Sequence, residues 1–217
     1  MAGLGWLVSG GLSGVRVECG GGETAERLVK LSVLGAESEA FSFAKIHRPV
    51  ERAIEGSGIP YTFLRPNSFM QNFVNYYGDT IRTQSAFYLS CGDARVSHVD
   101  VRDIARVAAL ALTADGHAGR ACDLCGPAAL THAEAASKLS VATGRPINDV
   151  DVPEADLKRG LMEAGTPEWF ADALVDLYRY YTTGQAGAVT TAVKDVTGRD
   201  PIAFDQFARD YAALWTV

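Results

Sequence analysis

Three titratable side chains could carry acid–base chemistry. His47 stands in a stretch with helical periodicity, and an imidazole that titrates near neutrality can donate or accept a proton. Asp100 and Asp103 stand three residues apart, and paired carboxylates can act as general acid and general base. A lone histidine is more often structural, and aspartates at the start of a helix cap it. We therefore expect capping for the two aspartates and keep His47 as a candidate catalytic residue.

The four cysteines, Cys19, Cys91, Cys122 and Cys125, have the spacing neither of a disulfide framework nor of a metal site. A zinc site needs a second close pair or histidines at ligand spacing, in addition to Cys122-x-x-Cys125. A redox pair should begin a helix, whose dipole lowers the thiol pKa. This pair lies in an alternating segment typical of a strand end. We therefore predict free structural thiols and no metal.

Glycines are dense before residue 24, and the segment 10–14 (GGLSG) resembles the turn of a dinucleotide-binding loop. Such a loop is followed by a helix whose N-terminal amides hold the pyrophosphate. The segment that follows, 15–19, is typical of a strand, and no complete G-x-G-x-x-G fits. A βαβ unit also takes about 30 residues. We expect an N-terminally truncated chain, in which residues 1–24 are an atypical, glycine-rich N-terminus.

The composition of the 217-residue chain excludes several classes of protein. A net charge of −6 argues against a nucleic-acid partner, which needs a basic face. No stretch approaches the roughly 18 consecutive apolar residues of a membrane span. The first residues lack the basic start and the apolar stretch of a signal peptide. We therefore expect a cytoplasmic protein with no membrane partner.

Alternating strand and helix signals predict the elements that would position these residues. We predict strands at 27–34, 61–65, 86–90, 95–101, 121–124 and 149–152, with 86–90 and 95–101 paired across a turn. Helices are predicted at 41–56, 69–77, 100–113, 131–144, 153–164, 166–181 and 204–214. The fold class is α/β: an incomplete Rossmann-like parallel sheet with flanking helices and a small, mainly helical C-terminal lobe.

The helix at 41–56 is predicted to bury one apolar face. Phe43, Ile46, Val50 and Ile54 recur at steps of three and four residues, which places them on the same side. Pro49 should kink this helix or shift its start, because it lacks a backbone N–H. The strand before it, 27–34, is apolar enough to be a buried parallel strand.

Several blocks of the sequence resemble, in order, those of NmrA-like reductases, which are atypical short-chain dehydrogenases/reductases. The most specific block is 47–73 (HRPVERAIEGSGIPYTFLRPNSFMQNF), and the segments 28–36, 95–105 and 116–134 also fit. The resemblance covers nearly the whole of 25–217, which we take as one NmrA-like domain. It implies a Rossmann-like fold and an NADPH cofactor.

The resemblance also implies which residues line the nicotinamide side of such a cofactor. In this family the cofactor lies across the C-terminal ends of the parallel strands, in agreement with the general rule for open α/β sheets. The alternative for Asn67 is a turn residue that bonds its own backbone. The implied cofactor-binding residues are Ser32, Val33, Leu34, Pro66, Asn67 and Phe69, together with Lys45.

Lys45 is a candidate catalytic residue by the same resemblance. Short-chain dehydrogenases use Tyr-x-x-x-Lys, in which tyrosine transfers the proton and lysine lowers its pKa and holds the ribose. Here the pattern is Phe41-x-x-x-Lys45, and phenylalanine has no proton to give. The alternative for Lys45 is a solvated helix lysine.

The resemblance implies an NAD(P)H-dependent oxidoreductase that acts on a small organic molecule, such as a quinone or a polyketide-like aromatic. Two alternatives remain open: a truncated, non-catalytic binding or regulatory protein, and a pocket reused for non-redox chemistry. A parallel sheet without its first strands exposes an edge and an apolar face. We therefore expect that this surface is covered either by the glycine-rich N-terminus or by a second copy of the chain, in a homodimer or another homo-oligomer formed through that edge or face.

Overall fold

The computed structural model describes residues 7–11, 14–18 and 27–216, with side chains from residue 27 onward. Strands β1 (Leu7–Gly11) and β2 (Gly14–Glu18) form an antiparallel hairpin. The segment after Gly14 is therefore a strand, as predicted, and not the helix that a dinucleotide loop requires. The rest of the predicted unit 1–24 lies outside the described residues.

Two parallel sheets carry the fold. Strands β3 (Leu28–Leu31), β4 (Tyr61–Pro66) and β6 (Arg120–Leu124) form a sheet in the order β3-β4-β6. Strands β5 (Ala86–Leu89) and β7 (Asn148–Asp151) form a separate parallel pair. The α/β class is confirmed, because helices flank parallel strands and a helix-rich segment follows.

Nine α-helices lie in the described part of the chain, and none of them is long and apolar enough to cross a lipid bilayer. One apolar core lies between β6 and the helices around it, and a larger one fills the helix-rich lobe. The helices are α1 (Ser42–Glu55), α2 (Asn72–Asn75), α3 (Gly78–Gln84), α4 (Val101–Thr113), α5 (His132–Thr143), α6 (Glu154–Glu163), α7 (Glu168–Thr182), α8 (Ala192–Thr197) and α9 (Phe204–Tyr211).

Side-chain caps explain where two of these helices begin. Asp100 caps α4 by accepting the backbone N–H of Arg102, as predicted. Thr131 and Glu134 form a capping box at the start of α5, where the predicted helix begins.

Helix α1 is capped by a residue from another helix. Asp176 in α7 accepts hydrogen bonds from the backbone N–H and the Oγ of Ser42, both at 2.7 Å. A carboxylate at a helix N-terminus is favourable because it satisfies free N–H groups and faces the positive end of the dipole. The start of α1 therefore depends on the position of α7.

The predicted pairing of 86–90 with 95–101 is wrong. Strand β5 pairs in parallel with β7, while the 95–101 segment makes only single bridges, to Leu130 and Phe69. The carboxylate of Asp151 accepts two consecutive backbone N–H groups of the turn that follows β5. This bond holds the end of β5 on β7, so the chain does not fold back on itself there.

The predicted buried face of α1 is wrong in part. Ile46 is 53% exposed, and the buried residues of the helix are Ala44, Glu51 and Ile54. The start of the helix agrees with the prediction, so Pro49 does not shift it, and the helix continues through Pro49. The carboxylate of Glu51, rather than the aliphatic side chain of Ile46, therefore lies on the face of α1 that packs against the sheet.

Strand β3 is less buried than predicted. Among the described residues it pairs only with β4, and Leu31 is 50% exposed. Its second edge therefore presents backbone N–H and C=O groups that no described strand takes up.

Candidate active site

The predicted cofactor-binding segments lie side by side at the carboxyl ends of β3 and β4. The backbone N–H of Ser32 donates to the carbonyl of Leu64 at 2.7 Å, and that of Leu34 donates to the carbonyl of Pro66 at 2.9 Å. The ladder thus continues past the end of β3 through Ser32–Leu34. This arrangement brings together two segments that are about thirty residues apart in the sequence.

Asn67 is buried, and its side chain is fully engaged. Its Oδ1 accepts the backbone N–H of Ser68 at 2.9 Å, the local bond expected of a turn residue. Its Nδ2 donates to Ser97 Oγ at 2.8 Å and to the carbonyl of Ala186 at 2.7 Å. Asn67 therefore ties the end of β4 to two distant segments.

A buried ionic network lies behind these strand ends. Glu51 of α1 accepts hydrogen bonds from Arg65 at 2.9 and 2.8 Å, from Ser32 Oγ at 2.6 Å and from Arg48 at 3.0 Å. Burial alone would raise the pKa of the Glu51 carboxyl, but these hydrogen bonds and the charge of Arg65 outweigh it and lower the pKa. Arg65 also binds Glu37 at 2.7 Å. The network fixes the charge and the orientation of Arg65.

His47 lies beside Lys30, with its Nδ1 at 2.8 Å from the lysine Nζ. Burial and the charge of Lys30 lower the pKa of His47 to about 4, although Glu51 acts in the opposite direction. Burial, followed by the charge of Arg65, lowers the pKa of Lys30 to about 8 against the effect of Glu51. His47 is thus neutral at pH 7, and the expectation that it titrates near neutrality is not met.

Lys45 is exposed, and its side chain makes no hydrogen bond within the part of the chain that the structure describes. Residues two apart on a helix point to different sides. The structure therefore does not bring Lys45 together with His47.

Sequence reasoning missed Tyr180, which comes from α7. Its ring stacks on that of Phe41, with centroids 4.3 Å apart and planes inclined by 26°. Its hydroxyl lies 2.7 Å from the position that a Cβ on Gly35 would occupy. Burial, followed by the negative charges of Glu37 and Asp123, raises the pKa of the phenol. No local spacing could have placed a residue this distant in sequence at the end of β3.

Asp123 of β6 completes the set of polar groups at this end of the sheet. Burial and the charge of Glu37 raise the pKa of its carboxyl, and Arg65 only partly offsets them. Its Oδ1 is buried and has no hydrogen-bond partner among the described residues. The carboxyl end of the sheet therefore holds an acceptor that the described chain leaves unsatisfied.

The described cysteines are free thiols, as predicted. Cys122 lies in β6 and Cys125 just beyond it, and both are buried free thiols whose pKa is raised first by burial. Within the described residues, no three His, Cys, Asp or Glu side chains are grouped so as to hold a metal ion. Cys19 lies outside them.

Two histidines are buried in the core of the helix-rich lobe. Neither ring nitrogen of His98 has a hydrogen-bond partner in the described chain, and burial lowers its pKa well below the ordinary value. His132 has its Nδ1 at 3.2 Å from Cys91 Sγ, and burial lowers its pKa to about 4. Both side chains are 2% exposed.

Two cavities lie elsewhere on the molecule. One of about 790 Å³ is bounded by the turn 90–95 and by residues of 181–187, and one of about 240 Å³ lies at the opposite end of the sheet, near Tyr61. Neither is lined by a predicted site residue. The carboxyl ends of β3 and β4 are the better candidate because ligands of open α/β sheets bind at the carboxyl ends of the strands.

Parallel strands with polar groups gathered at their carboxyl ends define a Rossmann-like α/β protein. The chain belongs to the NmrA-like family, whose model matches residues 36–199.

Two relatives are named as reductases. The NAD(P)H azoreductase of Xenophilus azovorans is 39% identical over 165 residues, which are 76% of this chain and 57% of that protein. The (4-alkanoyl-5-oxo-2,5-dihydrofuran-3-yl)methyl phosphate reductase of Streptomyces griseus is 36% identical over 187 residues, 85% of this chain and 66% of that protein. The chain thus spans 57 and 66% of the lengths of these relatives.

Solved structures show the same fold. The NADPH-dependent quinone oxidoreductase of Escherichia coli superposes with a TM-score of 0.78 at 23% identity, over 85% of this chain and 67% of that one. The triphenylmethane reductase of Citrobacter sp. superposes with a TM-score of 0.75 at 25% identity, over 87% of this chain and 65% of that one.

Proposed function

We propose that the protein is an NAD(P)H-dependent reductase of small organic molecules such as quinones. The observation that carries this proposal is the junction of Ser32–Leu34 with Pro66 at the carboxyl ends of β3 and β4. This is where an open α/β sheet binds its ligand. Relatives named as azoreductase and quinone oxidoreductase support the choice of chemistry.

The residues present fit a nicotinamide ring at this place. The unsatisfied Oδ1 of Asp123 offers an acceptor, and a carboxamide has N–H groups to donate. When bound, a reduced nicotinamide supplies a hydride. We propose that the ring is held by Ser32, Val33, Leu34, Pro66, Asn67 and Phe69, with Asn67 acting through the backbone that its side chain fixes.

Lys45 and His47 remain our candidate catalytic residues. The ammonium of Lys45 is exposed and has no partner among the described residues, so it is available to a ligand on that side of α1. Only the Nδ1 of His47 has a partner in the described chain, which leaves Nε2 for a ligand. Lys45→Met and His47→Asn should each lower turnover by about 100-fold if they move protons, and Lys138→Met on α5 is the control.

The test of the proposal is a titration of the chain with NADPH, followed by nicotinamide fluorescence, and then an assay of NADPH oxidation by a small quinone. We expect saturable binding and oxidation that depends on the quinone. Leu34→Glu should weaken NADPH binding by about tenfold or more, because it places a negative charge beside an anionic ligand. Leu112→Glu, on the exposed side of α4, is the matched control.

A second candidate is a non-catalytic ligand-binding protein. The observation that favours it is the hairpin of β1 and β2, which occupies the segment where the sequence most resembles a dinucleotide loop. In that case the chain would bind the small organic molecule but not NADPH, which the same titration detects.

We also propose a homodimer in the cytoplasm. The edge of β3 that pairs with no described strand and the exposed Leu31 support an interface between two copies. The free thiols Cys91, Cys122 and Cys125 suit a reducing compartment. Light scattering would distinguish a dimer from a monomer, and a monomer would contradict the proposed homodimer.

A further inference from the structure

We propose that the hydroxyl of Tyr180 donates a hydrogen bond to a carbonyl oxygen of the substrate. This inference rests on the proposed function and specifies its substrate as a neutral, ring-shaped carbonyl compound. The sequence around Tyr180 does not indicate this role, because α7 is far along the chain from β3.

The position of the hydroxyl is fixed by two contacts. Stacking on Phe41 holds the plane of the ring. Gly35 has a φ of 76° and no Cβ, so the hydroxyl can lie over the backbone just beyond the end of β3. Any other residue at 35 would be strained and would displace the hydroxyl. The phenol is thus held over the backbone at Gly35, on the side of the sheet where we propose that the cofactor binds.

The hydroxyl is open to a ligand. Tyr180 is partly exposed, and its hydroxyl makes no hydrogen bond to the described residues. The carboxylate of Glu37, which is near enough to raise the pKa of the phenol, is itself bound by Arg65. A phenol with its ordinary pKa near 10 is protonated at neutral pH, and the direction of the pKa shift of Tyr180 keeps it so; Tyr180 can therefore serve as a donor.

The neighbouring charges restrict the class of substrate. Glu37 and Asp123 add negative charge near the Tyr180 hydroxyl, and Arg65, which binds Glu37, offsets part of it, so a neutral group is favoured there over an anionic one. The ring of Phe41 adds an apolar, aromatic surface. A neutral aromatic ketone or quinone satisfies both conditions, whereas a carboxylate does not.

The test compares two ligands that differ in one oxygen: 1-tetralone, a neutral aromatic ketone, and tetralin, the hydrocarbon without it. Equilibrium dialysis would measure their binding to the full chain and to Tyr180→Phe, which keeps the aromatic stack. Loss of one hydrogen bond should weaken ketone binding by about 3- to 10-fold and leave tetralin binding unchanged. Tyr88→Phe, which removes a hydroxyl from β5, should change neither.

An equal loss for both ligands would show that Tyr180 only shapes the surface at Gly35, and it would overturn the inference. Equal ketone binding by the full chain and the variant would overturn it too, as would the absence of ketone binding by the unaltered chain. Failure of the proposed function is a separate result, because it appears as an absence of NADPH binding whatever the ketone does. Circular dichroism would confirm that each variant is folded.

Discussion

The carboxylate of Glu51 accepts two hydrogen bonds from the guanidinium of Arg65, from Nε at 2.9 Å and from Nη2 at 2.8 Å. This two-point contact joins the middle of α1 to β4, close to the candidate site. Glu51 is fully buried. A planar guanidinium is suited to such a contact, whereas an ammonium is not.

Glu51→Gln should destabilise the fold. The change removes the charge that compensates Arg65 and Arg48, and breaking a buried ion pair from one side costs about 3 kcal/mol or more. Urea unfolding would measure the loss as a lower midpoint. Glu55→Gln, which removes a more exposed partner of Arg48, should cost much less. Equal midpoints for the two variants would contradict this account.

Asp176→Ala should destabilise α1 although the substitution lies in α7. It removes the acceptor of both Ser42 bonds, and loss of a cap costs about 1 kcal/mol. Asp172→Ala in the same helix is the control, because it removes only an exposed pairing with Lys158. Thermal unfolding would show the difference. A smaller loss for Asp176 than for Asp172 would argue against the cap.

Two glycine substitutions should have opposite signs. A Cβ on Gly126 would overlap the carbonyl oxygen of His98, so Gly126→Ala should cost about 2 to 3 kcal/mol. A Cβ on Gly160, inside α6, meets nothing, so Gly160→Ala should gain about 1 kcal/mol from helix propensity. The free energy of unfolding, measured in urea, checks both. Two changes of the same sign would contradict the surroundings described for these two glycines.

The buried His132 should make the protein sensitive to acid. Its pKa in the folded chain is about 4, below its ordinary value of 6.5. Because the unfolded chain takes up the proton first, stability is complete above pH 6.5 and is lost as the pH falls towards 4. The loss from this group should reach roughly 3 kcal/mol at pH 4.

His132→Gln should therefore flatten the dependence of the urea midpoint on pH between 6.5 and 4. The partly exposed His117, replaced in the same way, controls for the loss of a histidine. An unchanged slope in His132→Gln would mean that this side chain is not buried in its neutral form.

Local sequence patterns predicted much of the fold. The strand at 61–65, the cap at Asp100 and the capping box at Thr131 depend on neighbours in sequence, and each is present in the structure. The pairing of β5 with β7 could not be predicted, because it is fixed by Asp151, some sixty residues beyond the turn it binds.

The candidate site was predictable only where it consists of strand ends. The junction of Ser32–Leu34 with Pro66 follows from parallel strands in sequence order. The burial of Glu51 in place of Ile46 does not follow from periodicity, since a charged residue enters a core only when partners such as Arg65 await it. Tyr180 likewise depends on how α7 packs.

Helix α7 carries both Asp176, which caps α1, and Tyr180, which covers Gly35. Any outward swing of α7 would strip the first turn of α1 and withdraw the phenol in the same movement. A movement of α7 that opens and closes the site would therefore lose both contacts each time. The region between α7 and the end of β3 should instead keep one geometry, so that a ligand binds there without a movement of α7.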